Sequence, residues 1–439
     1  METIRFSSED RAGIEAHGLT VAEVRRQVAL LRDPPPAIRL VRPCTASNGI
    51  VRLHEREHAE LLALAGEAAG AGRLSKFVPA SGAASRMFEF LRSGGPDHPD
   101  VRRFLENAPS FAFPAARRVI FGRAKAPSTS TEIEALESFP KGLLPFHRYA
   151  GFTRTPFEEH LVEAAATVRD AAGVCRIHVT VSPEHRPAFG AFLRKARPRL
   201  ERETRARFEV RFSEQAPSTD TVAIDEKGRL FRDAEGRLVF RPGGHGALLQ
   251  NLFESGGDIV LVKNVDNVAP DDRLVQTILW KRLLAGYLVR LERASGRARP
   301  IRVAGVVRNE GEPGGGPFWV AGPDGATRQI VESAQVDFAD PEQAAIWGAA
   351  THFNPVDLAC SLRDAAGRPF LLPRFVDEKA VIVVRKTYEG RALFALERPG
   401  LWNGAMALWE TAFVEVPKET FAPVKTALDL LRPEHQPRR

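Results

Sequence analysis

The middle of the sequence alternates between short runs rich in apolar residues and longer helical patterns, and this alternation limits the possible folds. Runs at 175–181, 207–212 and 258–263 predict strands, and the stretches at 184–203 and 244–254 predict helices. Strands with continuous apolar character are buried on both faces, which is typical of parallel sheets covered by helices. The sequence therefore predicts an α/β fold with a mostly parallel, mixed central sheet flanked by helices.

The regions on either side of this middle part differ from it. Residues 1–75 predict mainly helices, including one that begins after Thr20. Residues 76–439 form the predicted main domain. Within it, about 88–138 reads as a helical insertion interrupted by prolines, and about 301–416 is richer in short strands and glycine turns. We expect an N-terminal helical segment followed by one large α/β domain.

The composition argues against several classes of protein. The 62 basic residues exceed the 55 acidic ones and give a net charge of +7, but they do not cluster, so we expect no nucleic-acid partner. The three cysteines are scattered and include no C-x-x-C pair, which supports neither a disulfide framework nor a zinc site. No segment resembles a signal core or approaches the length of a membrane span, so we expect a cytoplasmic protein without a membrane partner.

The segment Phe77–Phe88 reads FVPASGAASRMF and has the features of a phosphate-binding turn. Small side chains at 81–84 let backbone N–H groups approach a bulky anion, and Arg86 follows them. A helix that opens at Ser85 or Arg86 would direct its N-terminal dipole at a phosphate. A tight turn without a ligand fits the same residues, so both interpretations stay open.

A second candidate site follows the predicted strand at 258–263. Lys263 ends this strand, and Asn264, Asp266 and Asn267 come directly after it. Polar residues beyond the carboxyl end of a strand lie where open α/β sheets bind ligands. A carboxylate there suits Mg²⁺, which takes few protein ligands and adds phosphate oxygens and water. An Asx turn that closes the strand is the alternative for Asp266.

The segment Arg241–Gly246 reads RPGGHG. Glycines at positions 243, 244 and 246 predict unusual backbone angles or a close approach to another group, which favours a ligand contact. His245 between them could donate to a base or a sugar. A loop histidine with a solvent partner is the alternative.

Two lysines also lie in candidate anion sites, although only 11 of the 62 basic residues are lysines. Pro423 favours a helix start and would place Lys425 in the first turn, where a phosphate would offset the unfavourable interaction with the helix dipole. Lys141 lies between Pro140 and Pro145, which restrict the backbone to an extended or turned shape. For both lysines a plain solvent-exposed position fits as well.

The sequence lacks the motifs of several other classes of enzyme. The sequence has no G-x-x-x-x-G-K-[ST] loop, no G-x-S-x-G elbow and no H-E-x-x-H helix. The dinucleotide pattern G-x-G-x-x-G does not follow the first predicted strand of the main domain. The missing G-x-x-x-x-G-K-[ST] loop argues against a P-loop ATPase, and no other chemistry competes with the candidate sites described above.

Taken in order, four segments resemble motifs of the UDP-sugar pyrophosphorylase family. PASGAASRM at 79–87 is similar to the loop L-x-G-G-x-G-T-R-[LM], and PGGHG at 242–246 to P-x-G-H-G. NVDN at 264–267 is similar to N-x-D-N, and FAPVKTALDLL at 421–431 to F-x-P-V-K-x-x-x-D-L-L. A weaker similarity links QIVESAQVD at 329–337 to the V-E-Y sugar segment. The PASGAASRMF loop also resembles that of a bacterial family of unassigned function.

This resemblance implies a GT-A-like nucleotidyltransferase fold, Mg²⁺ as cofactor, and transfer of a uridylyl group from UTP, or another NTP, to a sugar 1-phosphate. By position it assigns the nucleotide to Ala80, Ser81, Gly82, Ala83, Gly244 and His245, catalytic phosphate contacts to Arg86, Lys141 and Lys425, Mg²⁺ to Asp266, and the sugar to Asn267 and Glu332. Ser81 and Ala83 stand where the family usually has glycine. A catalytically inactive nucleotide- or nucleotide-sugar-binding protein of the same fold is therefore the alternative.

Overall fold

The computed structural model describes residues 4–93, 97–113, 136–312, 314–323 and 325–436, and residues 94–96 and 114–135 of the predicted insertion lie outside these ranges. The α-helices in the described ranges are α1 (Ser8–Ala16), α2 (Val21–Arg32), α3 (Glu55–Gly70), α4 (Ser85–Ser93), α5 (Pro99–Glu106), α6 (Pro156–Thr167), α7 (Arg186–Thr204), α8 (Leu248–Glu254), α9 (Leu274–Ser295) and α10 (Pro341–Gly348). The strands are β1 (Leu40–Pro43), β2 (Ile50–Val51), β3 (Leu74–Pro79), β4 (His147–Tyr149), β5 (Phe152–Arg154), β6 (Val174–Thr180), β7 (Arg207–Ser213), β8 (Thr221–Ile224), β9 (Phe240–Arg241), β10 (Ile259–Val262), β11 (Ile301–Arg308), β12 (Gly316–Gly322), β13 (Gly325–Val331), β14 (His352–Ser361), β15 (Ile382–Tyr388), β16 (Arg391–Glu397) and β17 (Glu410–Glu415).

An eight-stranded sheet with the order β2-β17-β11-β14-β10-β3-β6-β7 forms the centre of the fold. β14 is antiparallel to both of its neighbours, β10 and β11, and the other five strand pairs are parallel. The prediction of a mixed, mostly parallel sheet is confirmed. Because seven strands run the same way, their carboxyl ends meet at one edge.

Alternate residues of the central strands are buried on opposite faces of this sheet. In β10, Ile259 and Leu261 pack in a core with residues of α3, α6, α7 and α9. Val260 and Val262 point to the other face and pack with α8 and with residues near the start of β17. Apolar residues at every position of the strand are explained by this burial on two sides.

The segment 1–75 contains the predicted helix as α2, whose Thr20 hydroxyl accepts a hydrogen bond from the Glu23 N–H at 3.1 Å. The same segment also contributes strands, because β2 pairs with β17 in the central sheet and β1 pairs with β12. α1 and α2 pack on a separate four-stranded sheet with the order β15-β16-β8-β9. The N-terminal residues therefore contribute strands to two sheets and pack helices on a third.

The remaining elements follow the predicted pattern closely. The strands predicted at 175–181 and 207–212 are β6 and β7, and the helix predicted at 184–203 is α7. The region 301–416 contains β12 and β13 of the antiparallel β1-β12-β13 sheet and β15 and β16 of the four-stranded sheet, in agreement with its expected strand content. Among the described residues, no helix combines the length and apolar character that a membrane crossing requires.

Candidate active site

The loops that follow β3, β10 and β17 meet at the edge where the parallel strands end. The Val265 N–H donates to the Pro79 carbonyl across 3.2 Å, which joins the loop after β10 to the last residue of β3. The Val424 N–H donates to the Asp266 carbonyl across 3.0 Å, which joins the segment after β17 to the same loop. The candidate site lies at this junction, where open α/β sheets bind their ligands.

Asp266 is the centre of a charged cluster at the junction. Its Oδ2 accepts hydrogen bonds from Lys141 Nζ at 2.8 Å and from Lys425 Nζ at 3.0 Å. Asp266 is 7% exposed, and its Oδ1 is buried without a hydrogen-bond partner among the described residues. Burial acts to raise the pKa of Asp266, but the two ammonium groups outweigh it and hold that pKa below its usual value. Asp266 is therefore ionised at neutral pH.

Lys141 reaches this cluster although it is 125 residues from Asp266 in the sequence. It begins a short 3-10 helix, Lys141–Leu143, and its N–H donates to the Gly82 carbonyl at 3.3 Å. The Lys141 side chain is 12% exposed, and burial lowers its pKa against the opposing effect of Asp266. The segment around Lys141 thus connects the small-residue loop with the charged cluster.

Lys425 does not lie in a helix, so the predicted helix start at Pro423 is wrong. Pro423 instead forms an isolated antiparallel bridge with Asn267, and a 3-10 helix begins only at Ala427. The reason is that the loop after β10 hydrogen-bonds the backbone on both sides of Pro423 and keeps it extended. The Lys425 side chain is 63% exposed beyond this bridge.

The helix start predicted after the small-residue loop is confirmed. α4 begins at Ser85, directly after the loop. Within the described ranges, no hydrogen bond uses the backbone N–H of Ser81, Gly82 or Ala83. A Cβ placed on Gly82 would meet no atom within 4 Å, so internal packing of the described residues does not require glycine there. Three consecutive N–H groups of the loop therefore have no acceptor among the described residues.

Arg86 lies in the first turn of α4 and is exposed. Within the part of the chain that the structure describes, its guanidinium forms no ion pair. It therefore adds a positive charge to the loop that no carboxylate of the described residues neutralises.

His245 lies next to the loop after β10, where its side chain hydrogen-bonds Asn264. Its ring contacts Trp402 edge-on with centroids 4.3 Å apart. Burial and the nearby Lys425 ammonium lower the pKa of His245 to about 4, so the imidazole is neutral at pH 7.

Two of the glycines around His245 are required because backbone atoms of other chain segments lie too close for a side chain. A Cβ on Gly243 would lie 2.3 Å from the Thr219 carbonyl oxygen, and a Cβ on Gly246 would lie 2.0 Å from that of Pro399. Gly244 has a φ of +73°, which favours glycine. The expected close approach is thus made to neighbouring chain segments, and a nucleotide contact at Gly244 stays a prediction.

Asn267 directly follows Asp266 in the sequence, and Glu332 lies directly after the end of β13. Asn267 Oδ1 accepts from the Ala422 N–H at 3.0 Å and its Nδ2 donates to the Val356 carbonyl at 3.2 Å, so its amide holds three backbone segments together. Glu332 follows β13 and accepts a hydrogen bond from Asn354 at 3.0 Å, and burial raises the pKa of Glu332. Their contacts with a sugar stay predictions.

A buried charge network, which no sequence pattern predicted, lies beneath the site. Lys76, Lys263 and Lys281 surround Glu163, with their Nζ atoms 2.7, 3.0 and 2.7 Å from its carboxylate oxygens. Asp357 lies 2.5 Å from the Lys281 ammonium and 3.6 Å from that of Lys263. All five residues are at most 4% exposed. Three lysines thus share two carboxylates in the core.

This network reaches the candidate site through His160. The Lys76 ammonium donates to the His160 carbonyl at 2.9 Å, and His160 Nε2 lies 3.1 Å from the Asn264 carbonyl, to which it donates. Burial, with a further contribution from Lys76, lowers the pKa of His160 well below its usual value, so this histidine is neutral. A lysine inside the apolar run at 74–79 is a signal that could have indicated a buried partner, because buried charges require one.

We expect the protein to lose stability as the pH falls from about 6.5 toward 4. Burial lowers the pKa of His178 and of His245 to about 4, and that of His435 to about 3. Across this interval the unfolded chain binds protons that the folded chain does not, which favours unfolding. Thermal denaturation should show Tm lower by at least about 5 °C at pH 5 than at pH 7.

A matched pair of variants tests the origin of this pH dependence. His178→Gln should reduce the difference in Tm between pH 7 and pH 5, whereas His54→Gln, at an exposed position, should leave it unchanged. An equal Tm at both pH values in the unsubstituted protein would contradict the expectation.

The architecture is similar to that of solved UDP-sugar pyrophosphorylases. The uridine diphosphate N-acetylglucosamine pyrophosphorylase from Trypanosoma brucei, in complex with an inhibitor, aligns with a TM-score of 0.57 at 15% sequence identity, over 97% of this chain and 79% of that one. A mutant UDP-glucose pyrophosphorylase from Leishmania major, in complex with UDP-glucose, aligns with a TM-score of 0.52 at 18% identity, over 97% and 79%. At sequence identities of 15% and 18%, this similarity shows a shared fold only.

The sequence matches the model of the family described as "Domain of unknown function (DUF4301)" over residues 7–114, 131–298 and 294–436. The chain belongs to this family. A comparison with curated proteins found no match. A divergent family with the pyrophosphorylase fold agrees with the resemblance carried by the four ordered sequence motifs.

Proposed function

We propose that the protein is a Mg²⁺-dependent nucleotidyltransferase that transfers a uridylyl group from UTP to a sugar 1-phosphate and releases pyrophosphate. The observation that carries this proposal is the cluster of Lys141, Asp266 and Lys425 beside the N–H groups of residues 81–83. It lies at the ligand-binding edge of a sheet whose architecture is that of UDP-sugar pyrophosphorylases. The more specific GT-A-like description of the fold stays a prediction.

The residues at Asp266 fit a Mg²⁺ ion. Its Oδ1 is an anionic oxygen, buried and without a hydrogen-bond partner in the described ranges. The described residues contain no group of three or more His, Cys, Asp or Glu side chains that could hold a metal. Mg²⁺ suits this setting because it is commonly bound by one or two carboxylates together with substrate phosphates and water. Bound at Asp266, the ion would neutralise phosphate charge.

The reaction needs positioning and charge neutralisation more than an acid or a base. An oxygen of the sugar 1-phosphate attacks the α-phosphorus of UTP. The bond from that phosphorus to the oxygen shared with the β-phosphate breaks, and pyrophosphate leaves with the electron pair. The ammonium groups of Lys141 and Lys425 and the guanidinium of Arg86 would stabilise the negative charge on the phosphates.

The other predicted site residues would bind the phosphates, the base and the sugar of the two substrates. The N–H groups of residues 81–83 at the start of α4 would bind phosphate oxygens. The neutral imidazole of His245 would hydrogen-bond the base or the sugar. Glu332 would accept hydrogen bonds from sugar hydroxyls, and Asn267 would keep the surrounding segments in place.

Turnover measured with a substrate panel tests this proposal. The purified protein is incubated with UTP, or with each other NTP, together with a set of sugar 1-phosphates and Mg²⁺ or Mn²⁺, and pyrophosphate is assayed. We expect release of pyrophosphate in a nucleotide- and sugar-dependent manner. Absence of turnover with every combination, under both metals, would overturn the proposal.

A catalytically inactive nucleotide- or nucleotide-sugar-binding protein is the second candidate, favoured by Ser81 and Ala83 in the loop. Side chains at these positions restrict the backbone angles that glycine would allow. Thermal stabilisation by UTP or a UDP-sugar without turnover would support this candidate over the enzyme. Restoring glycine at both positions should then raise turnover if the loop alone limits it.

A further inference from the structure

Arg302 on β11 is a buried cation that has no counter-ion among the described residues. It is fully buried, and its guanidinium donates to Thr411 Oγ1 at 2.8 Å, to the Trp402 carbonyl at 2.6 Å and to Gln329 Oε1 at 3.3 Å. All three acceptors are neutral. Within the described ranges it forms no ion pair with an aspartate or a glutamate. A buried charge is costly unless an opposite charge compensates it.

Two of these acceptors line a cavity of about 930 Å³. Gln329 and Thr411 form part of its wall and separate it from the Arg302 guanidinium. The cavity lies between the β12–β13 hairpin, the linker at 35–39 and the segment at 403–411. Because β17 and β11 begin beside it, it is at the opposite ends of the parallel strands from Asp266.

The walls of this cavity combine apolar and cationic groups. Its apolar surface includes Ile38, Trp319 and Trp409, and the indole N–H of Trp409 is buried without an acceptor in the described part of the chain. Arg328 lies over the Trp319 ring with its guanidinium carbon 5.8 Å from the ring centroid. Three basic residues line the cavity and form no ion pair with any described residue: Arg299, Arg328 and Lys379. The lining also includes two acidic residues, Asp377 and Glu410.

We propose that this cavity binds a small organic anion with an aromatic or apolar body, and that Arg302 supplies the buried positive charge behind Gln329 and Thr411. The apolar surface and indole rings would contact the body of the ligand. The anionic group would lie toward the wall in front of Arg302 and would compensate its charge. This site is separate from the proposed nucleotidyltransferase site and does not depend on it.

Fluorescence titration with 8-anilinonaphthalene-1-sulfonate tests the proposal, and the uncharged N-phenyl-1-naphthylamine serves as the matched neutral probe. We expect saturable binding of one sulfonate per chain, at least tenfold tighter than the neutral amine. UTP with Mg²⁺ should not displace the sulfonate. Equal affinity for the two probes, or displacement by UTP, would overturn the proposal.

Two variants locate the bound probe. Ala326→Trp places a large side chain in the cavity wall and should weaken sulfonate binding at least tenfold. Ala366→Trp, an equally large change on an exposed turn outside the cavity, should leave binding unchanged. Unchanged binding in Ala326→Trp would contradict the location of the site.

A third variant tests the role of Arg302. Arg302→Met, where circular dichroism shows that it folds, should lose the preference for the sulfonate over the neutral amine. A folded Arg302→Met protein that keeps this preference would refute the role of Arg302. If Arg302→Met does not fold, Gln329→Glu replaces it as the test, because this change places a carboxylate against the Arg302 guanidinium. Gln329→Glu should reduce the preference for the sulfonate at least tenfold. An unchanged preference would refute the role of Arg302.

Discussion

Replacing Asp266 with asparagine is expected to lower pyrophosphate release at least about 100-fold while the protein stays folded. Asn keeps the size of the side chain but removes the charge that attracts Mg²⁺ and both ammonium groups. Asp266 Oδ2 contacts Lys141 and Lys425, and its Oδ1 is the buried oxygen assigned to the metal. One substitution therefore disturbs the proposed metal site and the placement of two cations together.

The measurement compares initial rates of the variant and the unsubstituted protein with the best substrate pair from the panel. Asp33→Asn, at the exposed end of α2, is the matched control and should keep full activity. Tm of all three proteins reports whether they fold. An Asp266→Asn protein that keeps more than about a tenth of the rate would remove Asp266 from the mechanism.

Replacing Glu163 with glutamine is expected to lower the free energy of unfolding by at least about 3 kcal/mol. The Glu163 carboxylate is in contact with the ammonium groups of Lys76, Lys263 and Lys281 in the core. A neutral amide would leave Asp357 as the remaining carboxylate of this network. Because the residues are almost fully buried, water cannot replace the lost interaction.

Urea denaturation measures this effect through the midpoint and the slope of the transition. Glu67→Gln is the matched control, since Glu67 is 70% exposed and pairs with Arg293 at 3.0 Å on the surface. Exposed ion pairs contribute about 0 to 1 kcal/mol, so this control should change stability little. A loss of less than about 1 kcal/mol for Glu163→Gln would show that the buried network is not needed for stability.

Much of the fold could be predicted because its signals are local. The apolar run at 258–263 predicted β10, and burial on both faces explains its composition. Thr20 predicted the start of α2 through the hydrogen bond that its hydroxyl accepts. The helix predicted at Pro423 was wrong, because hydrogen bonds from a loop distant in sequence keep this segment extended, and local propensity carries no information about them.

The candidate site could be predicted in its components but not in its contacts. Asp266 and the small-residue loop were selected by residue type and by their position after predicted strands, and Lys425 by its position after Pro423. The contact between Lys141 and Asp266 depends on a separation of 125 residues, which no local pattern encodes. Glu163 and Lys281 were missed because each lies in a helix whose pattern looks like an ordinary amphipathic one.

By itself, the sequence determined the class of fold, the helix and strand order of the central region and the segments that follow its parallel strands. These features follow from burial periodicity and from turn and capping residues. Only the tertiary structure decided which charges meet. It paired Asp266 with two lysines, enclosed Glu163 among three others, and left Arg302 buried without a carboxylate in the described ranges. Interactions between charges depend on distance in space and on burial, and chain folding sets both.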